Sequence, residues 1–150
     1  MGNPGKAGGG GICRNDRGDF IFGFAAGYGV LSNTGAKVRA VHDGLLHCLK
    51  RGLAKIIIES DSLQVVNALI GKSSIGWKWQ NWCKRIKGLI ALGQVRVQHT
   101  HREGNGPVDA LTRLGSSLQL SATFLARSNL PWVVRGQIFL DKLGLGAVKA

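Results

Sequence analysis

The chain has 150 residues, 44% hydrophobic and 19% charged, which suits one folded domain and excludes a wholly disordered chain. Twenty Lys and Arg against eight Asp and Glu give a formal charge of +12 and a pI near 10.4. Such an excess favours a polyanionic partner, above all nucleic acid, with a solubilising basic surface as the alternative. No unbroken apolar run approaches the length of a membrane span, so no membrane association is predicted.

The cysteines indicate the compartment. Cys13, Cys48 and Cys83 are too far apart for a CxxC metal pattern, and their odd number argues against a disulfide framework. Free thiols in a reducing compartment are the simplest interpretation, and no basic-then-apolar leader opens the chain. We therefore expect an intracellular protein, and the residues favour neither the nucleus nor the cytoplasm.

The first predicted elements are a glycine-rich opening, a hairpin and a helix. The opening MGNPGKAGGGG has no hydrophobic period and lacks the ending of a phosphate-binding P-loop, so it is predicted to be a plain loop. Turn residues at positions 15–18 then separate two strands, and a helix is predicted from Asn33 to Arg51. The return strand carries alternating phenylalanines on one face: Phe20, Phe22 and Phe24.

The rest of the chain adds helices and two strands that are expected to run parallel. The predicted elements are a strand Lys55–Glu59, a helix Ser62–Ile70, a helix over 75–90, a strand Gln94–His99 and a helix VDALTRL closed by Gly115. The order β-hairpin, α, β, α, α, β, α predicts an α/β fold with a mixed sheet and helices on its faces. Residues 116–150 are predicted to be a partly irregular C-terminal extension, in which Pro131 to Leu143 suits a short amphipathic helix.

The stretch KIIIESDS, Lys55 to Ser62, places acidic residues at the end of a very apolar strand. A continuous β-branched run is typical of a strand buried on both faces. Ligands and catalytic groups collect at the carboxyl ends of such strands in open α/β sheets, which makes Asp61 a candidate site residue. The alternative is that Asp61 caps the following helix.

Two further candidates are predicted to meet Asp61 at the same edge of the sheet. His99 ends the neighbouring parallel strand, and Asp109 begins the helix after the next loop. A pair of carboxylates without thiolates suits a hard cation such as Mg²⁺, and a nearby histidine can move protons at neutral pH. The alternatives are that Asp109 merely complements the helix dipole and that His99 faces solvent.

Three motifs in order resemble the ribonuclease H family, and they look closest to plant retroelement-like type 1 domains. They are GNPG at residues 2–5, IIIESDS at 56–62 and HTHREGNGPVDALTRLG at 99–115. The resemblance covers roughly Gly2 to Gly115 and implies a mixed five-stranded sheet flanked by helices. It also implies endonucleolytic cleavage of the RNA strand of RNA–DNA hybrids, in which Mg²⁺ ions held by four carboxylates act.

The resemblance assigns roles to individual residues. Asp61 matches the third carboxylate of the family and Asp109 the fourth, so both are expected metal ligands. His99 matches a loop histidine associated with proton transfer or product release. Asn3 and Asn105 match positions that contact the hybrid, whose duplex shape and 2′-hydroxyls distinguish it from DNA.

The first departure from the family is at its second carboxylate, a glutamate in the first helix. Here the chain reads AKVRAV, so Lys37 stands in that place. Lys37 lies at the edge of the apolar stripe, from which its ammonium is expected to reach Asp61 and Asp109 and to weaken Mg²⁺ binding. The alternative is that Lys37 extends into solvent and merely leaves the site one ligand short.

The second departure is at the start of the domain. The first carboxylate of the family lies in a DGS-like segment that ends a central strand just before GNPG, and this chain starts at Met1 immediately before GNPG. Residues 1–115 are therefore expected to be an N-terminally truncated domain with two of four carboxylates. Either the hairpin pairs directly with the Asp61 strand, or an upstream segment is missing.

Three functions follow from these residues. The family activity, metal-dependent cleavage of hybrids, is expected to be impaired, so whether the chain is an enzyme stays open. A non-catalytic domain that binds RNA–DNA hybrid or duplex is the first alternative. A protein-interaction module is the second, because Trp77 falls off the apolar stripe that Trp79 and Trp82 share.

Overall fold

The computed structural model describes residues 5–53, 55–101, 106–131 and 148–149. These residues form one mixed sheet with helices on both faces. The strands are β1 (Gly5–Arg14), β2 (Phe20–Leu31), β3 (Lys55–Ser60), β4 (Gln94–His99), β5 (Ala122–Phe124) and β6 (Val148–Lys149). The helices are α1 (Asn33–Lys50), α2 (Leu63–Leu69), α3 (Gln80–Ile90) and α4 (Gly106–Leu118). Short 3₁₀ turns cover Trp77–Trp79 and Arg127–Asn129.

The strand order is β4-β3-β6-β1-β2-β5. β1 and β2 form the predicted antiparallel hairpin, and β3 and β4 pair in parallel with Lys55 opposite Gln94 and Ser60 opposite His99. The mixed α/β sheet is therefore confirmed. Its described part has six strands because two short strands from beyond Gly115 join it. Within the described residues, the hairpin does not pair with β3 directly, since β6 lies between them.

Alternate residues of β1 point to opposite faces of the sheet, which separates two cores. Cys13 packs in the larger core, where α1, α2 and α3 cover one face. Ile12 packs in a smaller core on the other face, with Val108 and Leu111 of α4. The chain is thus a three-layer α/β/α structure in which α1 and α4 lie on opposite sides of the hairpin.

From Gly5 onward, the glycine-rich opening is a strand rather than the predicted loop. Gly8 and Gly10 face α4 so closely that a Cβ would lie 2.3 Å from the Ser116 nitrogen and 2.7 Å from the Leu111 Cβ. A Cβ on Gly9 would lie 2.6 Å from the ring of Tyr28. The glycines therefore allow a helix and an aromatic ring to approach the sheet, and a hydrophobic period is absent because side chains would not fit.

Two details of the predicted elements are also wrong. Gly115 does not close α4, which continues to Leu118, because this glycine serves close packing: a Cβ there would lie 2.3 Å from the Ala26 carbonyl oxygen. Phe20 does not share a face with Phe22 and Phe24. It packs in the smaller core, since a register shift in the hairpin falls between Phe20 and Phe22.

The tail and the cysteines complete the fold. The predicted helix from Pro131 to Leu143 lies outside the described residues, apart from Pro131, and the domain boundary at Gly115 stays a prediction. All three cysteines are buried free thiols, as expected. Among the described residues, no helix is long and apolar enough to cross a membrane.

Candidate functional site

Asp61 stands immediately after β3, in a turn held by backbone and hydroxyl hydrogen bonds. The buried Ser60 accepts a hydrogen bond on its hydroxyl from the Ser62 nitrogen at 3.2 Å and on its carbonyl from the Thr100 nitrogen at 2.9 Å. Ser62, not Asp61, is the N-cap of α2, because its hydroxyl accepts a hydrogen bond from the Val65 nitrogen at 3.3 Å. The alternative role of Asp61 as a helix cap is therefore wrong, and its carboxylate is available for another partner.

That partner is Lys37, the fifth residue of α1. The Lys37 Nζ lies 2.7 Å from the Asp61 Oδ1, and the two side chains are only 29% and 11% exposed. α1 is fixed at this end because Ser32 caps it, accepting a hydrogen bond from the Gly35 nitrogen at 3.1 Å. Lys37 therefore does not extend into solvent, and the expected contact between its ammonium and Asp61 is present.

β3 places Asp61 at this edge, although one expectation about the strand is wrong. Ile56 and Ile58 are buried in the larger core, whereas Ile57 is 38% exposed. The strand is therefore buried on one face near its middle. The reason is that α4, the helix on the other face, packs on β1 and β2.

Asp109 reaches the same cavity from the first turn of α4. A cavity of about 460 Å³ is lined by Lys37, Asp61 and Asp109, together with Lys6 and polar residues such as Gln64. Asp109 itself is 37% exposed and forms an ion pair with Arg113, one turn further along α4, at 3.2 Å. The position of Asp109 in the first turn of α4 is therefore consistent with a favourable interaction with the helix dipole. Its described ion pair is with Arg113 rather than with Lys37.

His99 lies beside this cavity without lining its described part. It is exposed at the end of β4, with its Nε2 3.3 Å from the Asp61 carbonyl oxygen. Its ring also contacts that of His101, with 5.8 Å between centroids. The structure thus brings together Asp61, Asp109, Lys37 and His99 at one edge of the sheet. Asn3 and Asn105 lie outside the described residues.

The donors in the cavity fit a divalent cation poorly. Its described lining carries two lysines and two aspartates, so the formal charges cancel, and one lysine touches the more buried aspartate. Among the described residues, no group of three or more His, Cys, Asp or Glu side chains is arranged to hold a metal. Hard cations take several oxygen ligands, which this set does not supply.

Sequence reasoning did not single out Lys6, Gln64 or Arg113. The Arg113 contact was open to prediction, because Asp109 and Arg113 have the four-residue spacing of helical ion pairs. Gln64 accepts a hydrogen bond from the Thr34 hydroxyl at 3.2 Å, which links α2 to the start of α1. No local pattern marks Lys6, which reaches the cavity only because β1 lies beside α4.

A second surface feature lies on α3 and the turn before it. Trp77 is 79% exposed, whereas Trp79 and Trp82 pack against the larger core, as predicted. Trp79 lies against Gly35 of α1, where a Cβ would approach its ring to 2.3 Å. Exposed basic side chains follow Trp77 in the chain, and we call this set, with Trp77, the α3 basic surface: Trp77, Lys78, Lys84, Arg85 and Lys87. Residues 77–90 contain no Asp or Glu.

Known proteins resemble this chain in sequence and in fold. The family model described as reverse transcriptase-like matches residues 2–115. An Arabidopsis thaliana protein named "Putative ribonuclease H protein" is 29% identical over 120 residues, which are 79% of this chain and 19% of that protein. The chain therefore spans about a fifth of the length of this relative.

Solved structures agree on the fold. Ribonuclease H1 from the halophilic archaeon Halobacterium salinarum is 23% identical with a TM-score of 0.74, over 78% of this chain and 90% of that one. LC11 ribonuclease H1, solved in complex with an RNA/DNA hybrid, is 21% identical with a TM-score of 0.69, over 79% and 91% of the two chains. These likenesses define a ribonuclease H fold. The chain belongs to the reverse transcriptase-like family, and its fold is that of the ribonucleases H.

Proposed function

We propose that this domain binds RNA–DNA hybrid or related duplexes and that its metal-dependent cleavage of the RNA strand is impaired. The observation that carries the impairment is the 2.7 Å contact between the Lys37 ammonium and the Asp61 carboxylate. The fold is that of the ribonucleases H, and one neighbour in fold, LC11 ribonuclease H1, was solved with an RNA/DNA hybrid.

The impairment follows from charge. Asp61 and Asp109 are the two residues that would ligate Mg²⁺, which in such sites polarises the scissile phosphate and activates water. A positive ammonium 2.7 Å from one of these two ligands repels a divalent cation and competes with it for the Asp61 carboxylate. Mg²⁺ binding is therefore weakened. Cleavage of the RNA strand depends on the metal, whereas binding of the nucleic acid does not, so the loss falls mainly on cleavage.

The proposed binding of nucleic acid is supported by the net charge of the chain and by the α3 basic surface. The chain carries a formal charge of +12, and residues 77–90 contribute four basic and no acidic side chains. Lysine contacts with phosphates release counterions, so affinity falls steeply with salt. The exposed Trp77 ring is suited to stacking on a base. Contact with another protein is a second candidate for Trp77, since exposed aromatics are enriched at interfaces.

One experiment separates the two halves of the proposal. The purified chain is mixed with an end-labelled RNA–DNA hybrid in Mg²⁺ or in EDTA and run on native and denaturing gels. We expect a retarded, uncut band in both conditions. Cutting by the natural chain in Mg²⁺ would refute the impairment, and absence of retardation at low salt would refute binding.

A charge-reversal pair then tests Lys37 itself. Lys37→Glu supplies a third carboxylate and should raise Mg²⁺ affinity and with it any Mg²⁺-dependent cutting. The matched control is Lys72→Glu, the same charge change at an exposed lysine that does not line the cavity. Equal effects of both substitutions would show that net charge, not the Lys37–Asp61 contact, limits the metal.

A further inference from the structure

Two of the three cysteines lie against each other in the larger core. Cys13 of β1 and Cys48 of α1 are 1% and 0% exposed, and both are free thiols. They are so close that the Cys13 thiol donates a hydrogen bond to the Cys48 sulfur. Cys83 of α3 packs in the same core, where burial raises its pKa and no thiol contributes to that shift. The core therefore contains one pair of adjacent thiols and one separate thiol.

The packing around the pair places the two thiols together. Phe22 lies directly opposite Cys13 in the hairpin. The Phe22 ring lies 5.7 Å from the His47 ring and 4.2 Å from the Arg51 guanidinium, measured from the ring centroid. These two contacts come from residues on either side of Cys48, and Arg51 also donates a hydrogen bond to the His47 carbonyl oxygen at 3.1 Å. The end of α1 is therefore held over the part of β1 that carries Cys13.

The surroundings of the pair favour a thiolate at Cys48. The hydrogen bond from Cys13 lowers the pKa of Cys48, and the positive Arg51 acts in the same direction, while burial opposes both. The same hydrogen bond, together with burial, raises the pKa of Cys13. Cys48 is thus the thiol of the pair that ionises more readily, and the thiolate is the form of cysteine that reacts with oxidants.

A cavity gives small molecules a route to the pair. Its volume is about 820 Å³, and its described lining includes Cys13, Lys55 and Ile90. Cys48 is not part of that described lining. An oxidant in the cavity therefore meets Cys13 first and reaches the Cys48 sulfur when the Cys13 side chain turns, so the reaction should be slower than that of an exposed thiol.

We propose that Cys13 and Cys48 form a redox-sensitive site, in which a peroxide converts the two thiols into a disulfide that joins β1 to the last turn of α1. The Cys48 thiolate attacks a peroxide oxygen, so that an S–O bond forms, the O–O bond breaks and hydroxide leaves. The Cys13 sulfur then attacks the Cys48 sulfur, the S–O bond breaks, and the hydroxyl group leaves with the Cys13 proton as water. The two sulfurs together lose two electrons, which the peroxide gains, and hydrogen peroxide yields two molecules of water.

Peptide mapping of the oxidised full chain tests the pairing. The folded chain is treated with hydrogen peroxide, its remaining thiols are blocked with N-ethylmaleimide in denaturant, and its tryptic peptides are compared by mass spectrometry with and without reductant. Cys83→Ala is the matched variant that keeps the pair, and Cys48→Ala removes one member of it. A parallel sample of the natural chain is oxidised in urea, where all three thiols are exposed.

We expect a single Cys13–Cys48 cross-link in the folded natural chain and in Cys83→Ala, none in Cys48→Ala, and a mixture of pairs in urea. Bonds to Cys83 in the folded natural chain, or a covalent dimer, would overturn the proposal, because the two thiols would then not be each other's partners. Recovery of Cys13 and Cys48 as thiols, or as sulfinic or sulfonic acids, would overturn it too. If Cys48→Ala does not fold, the natural chain and Cys83→Ala still give these results.

Two further measurements test the order of attack and the effect of the bond. Dimedone traps sulfenic acids, and we expect more adduct on Cys48 in Cys13→Ala than on Cys13 in Cys48→Ala. Equal adducts, or none, would overturn Cys48 as the attacking thiol. The bond closes a loop of about 35 residues, so oxidation should raise the urea midpoint of the natural chain and of Cys83→Ala. An unchanged or lower midpoint would overturn the joining of β1 to α1.

Discussion

Replacing Lys37 by methionine removes the ammonium from Asp61 while keeping a similar apolar stem. At 2.7 Å and an effective dielectric constant of ~20, the attraction within this pair is about 6 kcal/mol, most of which offsets the cost of removing both groups from water. The substitution leaves the Asp61 carboxylate without its cation, and because this carboxylate is only 11% exposed, water replaces the lost contact poorly. We expect Lys37→Met to lower the free energy of unfolding by about 1–3 kcal/mol.

The same substitution should turn Mg²⁺ into a stabilising ligand. For a site with a dissociation constant of about 1 mM, 10 mM Mg²⁺ adds about 1.4 kcal/mol to the free energy of unfolding. We expect that gain in Lys37→Met and less than about 0.3 kcal/mol in the natural chain, where the ammonium competes with the metal. The measurement is urea denaturation with and without Mg²⁺ at matched ionic strength.

Two control variants make this result specific. Lys72→Met removes an exposed lysine outside the cavity and should leave the response to Mg²⁺ unchanged. Lys37→Met with Asp61→Asn removes both charges and should restore most of the lost stability while abolishing the Mg²⁺ effect. An equal gain from Mg²⁺ in the natural chain and in Lys37→Met would refute the competition. No gain in either would refute Asp61 and Asp109 as a metal site.

Three further predictions concern packing, pH and binding. Gly8→Ala should lower the free energy of unfolding by about 1–3 kcal/mol in urea denaturation, because its Cβ would meet the α4 backbone, whereas Gly76→Ala, with open space around it, should not. Burial, and then the positive Arg51, lower the pKa of His47, so the folded state binds a proton less readily than the unfolded state. The contribution of His47 to the free energy of unfolding is therefore present above about pH 6.5 and is lost as the pH falls. Between pH 7 and 5.5 the urea midpoint should drop less in His47→Gln than in the natural chain. An equal drop in the two proteins would contradict this. Trp77→Ala should weaken hybrid binding by about 1–3 kcal/mol in a fluorescence titration while changing stability by less than about 0.5 kcal/mol; a large stability loss would place Trp77 in the core, against its exposure.

Local periodicity was enough to predict most helices and strands. α1 and β4 appear at their predicted positions because strong apolar patterns and a serine cap mark them in the sequence. The glycine-rich strand β1 was missed because its pattern reflects the closeness of α4 and Tyr28, which only the folded chain brings near. β6 was missed because two residues carry no period of their own and pair with strands far away along the chain.

The site was predictable in part. Helical geometry and the family resemblance together placed Lys37 near Asp61, and the contact is present. The ion pair of Asp109 with Arg113 was missed, although the four-residue spacing is visible in the sequence. It joins side chains that are 37% and 76% exposed, so it adds little stability. The positive and negative charges of the described cavity lining cancel only because Lys6 of β1 is part of that lining.

The position of β6 also bears on how the chain is made. β1, β2 and β3 leave the ribosome well before Val148–Lys149, so the edges of β1 and β3 that pair with β6 wait for this partner while the intervening residues are added. At ordinary elongation rates that interval is on the order of 5 to 20 seconds. Exposed strand edges attract other strands during such a delay. Synthesis on the ribosome therefore gives chaperones, or neighbouring nascent chains, a period in which to bind this domain before β6 pairs with β1 and β3.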